Sequence, residues 1–166
     1  NWSGFKAYKE GEGGGSGGGD DTEPAKIEVD GIYYQTDPAT STATVISGYQ
    51  AGLNETPYSG VVNVPSTFTY KGKTYKVTAV GQTAFQYGTC TEVTLPSTCT
   101  TLATYAFSSM SSLTKLDLGG VNNIPGNGIT NCTALKDLYL GYTGGVVGTV
   151  GASIPSAMRA NIKVHV

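Results

Sequence analysis

From Lys26 onward apolar and polar residues alternate in short runs. Ile27 and Val29 are followed by Asp30-Gly31 and then Ile32-Tyr33-Tyr34, the pattern of two strands joined by a tight hairpin turn. The turn-like DPATS at 37–41 leads into a third alternating run, TATVIS at 42–47. TFTYKGKTYKVTAV sets Phe68 and Tyr70 before Lys71-Gly72 and Tyr75 and Val77 after it, which predicts another hairpin. Tyr33, Tyr34, Tyr70 and Tyr75 suggest either a platform for sugar rings or half-buried cross-strand pairs, the commoner use of aromatics at strand spacing.

Further along, the alternation repeats. AFQYGTCTEVTLP at 84–96, AFSSMSSLTKLDLG at 106–119 and GITNCTALKDLYLG at 128–141 align. The last two match at an offset of 22, pairing Phe107 with Ile129, Met110 with Cys132, Leu113 with Leu135, Leu116 with Leu138 and Leu118 with Leu140; Leu102 and Ile124 continue the match upstream. The first copy is one residue shorter, so that Cys90 takes the leucine slot and Val93 and Leu95 the strand slots. Each copy offers one short strand preceded by a turn or short helix, and no single copy can bury its own apolar face. Stacked as a parallel ladder, the copies share a continuous core, which predicts a solenoid. VVNVP at 61–65 and Ile162-x-Val164 extend the ladder to five strands with inward pairs Val62/Val64, Val93/Leu95, Leu116/Leu118, Leu138/Leu140 and Ile162/Val164. Pro96, Gly119 and Gly141 let the chain turn away after each strand.

Residues between the inward pairs face outward in two columns. One is expected to run Val61, Glu92, Lys115, Asp137, Asn161, the other Asn63, Thr94, Asp117, Tyr139, Lys163. Glu92, Lys115, Asp117, Asp137, Tyr139 and Lys163 are the candidate ligand-binding residues, because solenoids commonly bind on a broad open face. Alternating charge in the first column also suits plain solubility.

Composition narrows the alternatives. The 166 residues are 39% hydrophobic with net charge -2, about one domain with enough apolar residues for a core. Scattered Lys and Arg give no nucleic-acid footprint, and the apolar runs are too short to span a membrane. Cys90, Cys99 and Cys132 form no CxxC pair and read as small buried hydrophobes. His165 is expected on an outward position beside Lys163, apart from any paired carboxylate. Glu92 and Asp137 are separated by the strand of Lys115 and make no glycosidase pair. No nucleophile elbow, phosphate loop or zinc spacing occurs, so no catalytic residue, metal or cofactor is expected. The Asn-x-Ser/Thr triplets at Asn1, Asn54 and Asn131 are weak signals in a chain rich in Ser and Thr.

GEGGGSGGGDDTEP at 11–24 has no hydrophobic side chain and reads as a flexible linker, although engineered linkers share this composition. Asp20, Asp21 and Glu23 there read as a solvated acidic stretch, since they lack a calcium-binding frame.

Ala84-Phe85 with VTLP, Ala106-Phe107 with Met110, and Asn131-Cys132 with Leu135, Leu138 and Leu140 resemble the BspA-like leucine-rich repeats of bacterial cell-surface and secreted proteins. VDGIYYQT and the stretch from Tyr58 to Phe85 look like the β-rich cap and first repeat of such proteins. The resemblance covers roughly 25–166. It is irregular from residue 120 onward, with Gly128-Ile129 in place of Ala-Phe and only the final strand kept at 146–166, and it has Met110 in place of Cys. It implies a mainly β, α/β-type solenoid, a short right-handed leucine-rich-repeat superhelix with a parallel sheet after an antiparallel hairpin cap. The expected segments are 1–10, the tail of a preceding domain; 11–24, linker; 25–80, cap and first repeat strand; and 81–166, repeats truncated at the C-terminus. It further implies an extracellular binding or adhesion module contacting an unknown protein or glycan, or alternatively a structural spacer; any signal peptide or lipoprotein anchor would lie upstream. NWSGFKAYKE looks like the ending of a sister domain, and Trp2, Phe5 and Tyr8 are expected to cover the last strand of the same chain or a neighbour.

Overall fold

The structure is a computed structural model that describes residues 25–49, 58–141 and 154–166. The expected tail at 1–10, the linker at 11–24 and the capping by Trp2, Phe5 and Tyr8 lie outside the described residues.

Strands β1 (Lys26–Val29), β2 (Ile32–Asp37) and β3 (Thr42–Ile46) form an antiparallel meander. Its first turn is Asp30-Gly31, with φ values of 51° and 81°. These angles suit a type I′ turn, whose twist matches that of the flanking strands. After β4 (Ser59–Asn63), the hairpin β5 (Thr67–Tyr70) and β6 (Lys73–Val80) returns to this sheet, and the strand order is β1-β2-β3-β6-β5. The sheet curls on itself, so that the rings of Tyr34 on β2 and Phe68 on β5 stack with centroids 4.2 Å apart. Tyr33, Tyr34 and Tyr75 are buried and only Tyr70 is half-buried, which removes the sugar-platform reading.

The second sheet is the predicted ladder. β4, β7 (Thr89–Thr94), β10 (Lys115–Asp117), β12 (Asp137–Tyr139) and β13 (Lys163–His165) run parallel in that order, with α1 (Ser156–Arg159) just before the last. Val62, Val93, Leu116 and Leu138 form one inward row, and Val93, Leu116 and Leu138 are fully buried. Where a turn or short helix was expected on the far side, the chain instead makes a narrow parallel ladder, β9 (Phe107–Ser108) beside β11 (Ile129–Thr130). Phe85 N–H donates to the Ala106 carbonyl and Phe107 N–H to that of Gly128, each at 2.9 Å, so both turns are joined through backbone. Left-handed residues bracket this ladder once per turn: Thr83, Tyr105 and Asn127 before it, and Tyr87, Ser109 and Asn131 after it. These corners let a two-residue strand replace a helix.

The cap is joined to the solenoid in two ways. β8 (Thr101–Leu102) pairs with β6, carrying the first sheet into the repeats. Tyr58 donates to the Ile46 carbonyl at 2.5 Å, accepts from Tyr33 N–H at 3.0 Å and packs its ring 4.6 Å from that of Phe85.

The C-terminal strand differs from expectation in register. Leu138 lies opposite Val164, not Ile162, and Tyr139 lies opposite His165. This slip of two residues puts Lys163 beside Asp137 in the first outward column instead of beside Tyr139, and removes Asn161 from the ladder. Val164 and Val166 are 42% and 82% exposed.

Candidate functional site

The outward face of the five-stranded sheet is built by strand alternation alone. Every side chain between two buried neighbours must emerge on this side. The first column is Val61, Glu92, Lys115, Asp137, Lys163, and the second is Asn63, Thr94, Asp117, Tyr139, His165. No described helix or strand covers them, and most are half-buried by one another.

Five of the six candidate residues keep the column that the sequence predicts; Lys163 changes column, so that Asp137 and Tyr139 meet Lys163 and His165 on β13 in place of Asn161 and Lys163. Lys115 Nζ lies 3.5 Å from Glu92 Oε2, with both side chains 42% exposed. An ion pair so open to water contributes about 1 kcal/mol at most. The same ammonium stands 5.7 Å from the centroid of the Tyr139 ring. On the other side of that ring the imidazole of His165 stacks at 4.1 Å with an interplanar angle of 6°. Tyr139 therefore has one ring face stacked on His165 and a cation near the ring, which leaves little open aromatic plane there. Asp117 Oδ1 accepts from Gly119 N–H at 2.9 Å and so is committed to the turn after β10.

His165 faces outward as expected but does not stand apart from the acids. Its Nε2 lies 2.8 Å from Asp137 Oδ1, so it joins a carboxylate rather than standing apart from one. The expected Glu-Lys-Asp alternation thus resolves into two pairs, Glu92 with Lys115 and Asp137 with His165. The available signal was Tyr139 itself, since an aromatic at an outward position favours a ring beside it on the next strand. Past the edge of this face an open groove of about 630 Å³ is lined by Thr114, Lys136, Asp137, Asn161 and Lys163 among others.

Among the described residues no three His, Cys, Asp or Glu side chains stand where they could hold a metal ion. The register keeps Lys115 between Glu92 and Asp137.

The three cysteines are buried and unpaired. Burial pushes each thiol from 9.0 up to about 11. The consequence for stability has a definite sign. Below pH 9 folded and unfolded chains both keep these protons; between pH 9 and 11 the unfolded chain releases protons that the folded chain retains, so stability falls as pH rises. Tyr34 and Tyr58, raised mainly by burial, act in the same direction at still higher pH. The urea midpoint is therefore expected to be lower at pH 10.5 than at pH 8, with a smaller drop in a Cys99→Ala variant. Equal drops in the two proteins would remove the thiols as the cause.

Comparison with known proteins agrees with this architecture. No curated protein matches the chain. Among solved structures, a leucine-rich repeat protein from Bacteroides ovatus is 31% identical over 69% of this chain, with a TM-score of 0.59. This chain spans 29% of that protein. A leucine-rich repeat protein from Bacteroides capillosus is similar in fold, with a TM-score of 0.59 at 20% identity over 86% of this chain and 99% of its own. The family model described as the BspA type leucine-rich repeat region, in six copies, matches residues 66–148, half of the 166. With its repeats found in sequence and seen as stacked turns in three dimensions, the chain belongs to the BspA-type leucine-rich repeat family.

Proposed function

We propose that this chain is a non-catalytic binding module of a bacterial cell-surface or secreted protein, and that it contacts a protein partner through the outward face of its five-stranded sheet. The observation that carries the reading is the pair of mostly polar and charged columns, half-buried or exposed, that runs across five strands. The flanking of Tyr139 by Lys115 and His165 favours protein over glycan, because the face offers charges, ring edges and a hydroxyl rather than an open aromatic plane. The surface location rests on the family resemblance. No described helix is long and apolar enough to cross a membrane.

A spacer role is the second reading. The observation in its favour is that Glu92 and Asp137 already have partners within the face, Lys115 and His165.

The test compares the wild-type chain with a Lys115→Ala, Lys163→Ala double variant in capturing proteins from surface and secreted fractions, followed by measured affinity for whatever is captured. A binding face predicts a loss of more than about tenfold, with a melting temperature shifted by only a few degrees, since surface substitutions usually cost about 0.5 kcal/mol or less. Capture that is specific but equal in the two proteins removes the sheet face as the site. No specific capture by the wild type favours the spacer.

A further inference from the structure

The cap carries a second surface, independent of the sheet face. β5 is the terminal strand on one side of the curled sheet. The hairpin fixes which of its backbone groups are in use. Tyr70 and Lys73 flank the two-residue turn and exchange ladder bonds, and in an antiparallel pair bonded and non-bonded residue pairs alternate. Phe68 opposite Tyr75 is therefore bonded, and the Ser66 carbonyl accepts from Val77 N–H at 2.9 Å. By the same alternation the N–H and C=O groups of Thr67 and Thr69 point away from β6.

An open groove of about 380 Å³ lies along that edge. One wall is Thr67, Phe68 and Thr69, and the other is Val29, Asp30 and Ile32. Asp30 is the one charged residue among the described residues of its lining; Lys76, paired with Thr67, projects from the opposite face to Phe68. Behind Phe68, the Tyr34 ring stacks on it, and the Tyr34 hydroxyl is buried with no hydrogen-bond partner among the described residues. The Asp30 carboxylate is close enough to help raise that hydroxyl's pKa.

We propose that this groove receives an extended peptide segment as an added strand on β5, with an apolar side chain on Phe68 and a basic side chain facing Asp30. The spacing argues for a strand. Thr67 and Thr69 present two sets of backbone groups about 7 Å apart, a repeat that another extended backbone matches. The apolar contact then falls on one inward residue, and the acid at the rim selects the charge of its neighbour.

The probe is a capped seven-residue peptide of alternating threonine and valine with one lysine, compared with its glutamate version and with a version N-methylated along the pairing edge. Amide exchange and chemical shifts at Thr67 and Thr69 report on binding. The lysine peptide is expected to protect both amides at sub-millimolar concentration, the glutamate version to bind at least fivefold more weakly, and the N-methylated version to give no protection. Asp30→Asn keeps the turn, because Asn-Gly adopts the same geometry, and is expected to shrink the lysine preference below twofold. Binding that survives N-methylation, unprotected Thr67 and Thr69 amides at millimolar lysine peptide, or an unchanged preference in Asp30→Asn would overturn the proposal.

Discussion

Gly119→Ala is expected to destabilise the protein by about 3–5 kcal/mol, more than most single substitutions cost. Gly119 has φ +55°, a conformation that costs an L-residue about 1–2 kcal/mol before any clash. A Cβ there would also overlap the carbonyl of Pro96 in the preceding turn and lie 2.5 Å from that of Leu95. Backbone of a stacked turn cannot swing aside as a flexible side chain can. The same contact recurs one repeat on, where a Cβ at Gly141 would overlap the carbonyl of Gly119. These glycines mark where successive turns touch through bare backbone, a stronger requirement than the sharp turn that the sequence suggests. Gly126→Ala is the control, because an added Cβ there meets nothing within 4 Å. Urea unfolding checks both variants; a Gly119→Ala protein within about 1 kcal/mol of wild type would remove the close-stacking account.

Phe107→Ala should cost about 3–5 kcal/mol, the usual range for deleting a buried aromatic ring. Phe107 is fully buried, its ring stacked 4.9 Å from that of Phe85, and its strand paired with that of Ile129. Its carbonyl also accepts from Cys132 Sγ at 3.0 Å. The cavity would open between three successive turns. Solenoid stability is close to a sum over neighbouring turns, so the loss should extend to amide protection in the turns of Phe85 and Ile129. Tyr105→Ala, two residues earlier on an exposed side chain, should change stability by about 0.5 kcal/mol or less. Similar losses from both substitutions would show that Phe107 is not the keystone of this side.

Much of the fold is legible because burial on one face imposes a period on the sequence. The hairpin turns announce themselves through Asp30-Gly31 and Lys71-Gly72, residue pairs that accept the left-handed angles they carry. The corners around β9 and β11 do not announce themselves in this way. Of the six left-handed residues there only Asn127 and Asn131 are types that favour this conformation, while Thr83, Tyr87, Tyr105 and Ser109 are held in it by the stacking of the turns. A sequence reader sees a polar stretch before a strand and writes a turn or short helix.

The sheet face shows the same division. Local alternation identifies Glu92, Lys115, Asp117, Asp137 and Tyr139 as outward residues. The register of β13 is different in kind. A slip of one residue would turn every side chain to the wrong face, which the pattern forbids. A slip of two keeps an apolar residue opposite Leu138, whether Ile162 or Val164 stands there. The repeat, the inward rows through β12 and the hairpin turns are readable from the spacing of residues along the chain. The pairing of the last strand is set by contacts in three dimensions: the Leu140 N–H bond to the His165 carbonyl, the Tyr139–His165 stack and the Asp137–His165 bond. Those contacts join residues more than twenty positions apart, and a two-residue period carries no information that separates one even-numbered slip from another.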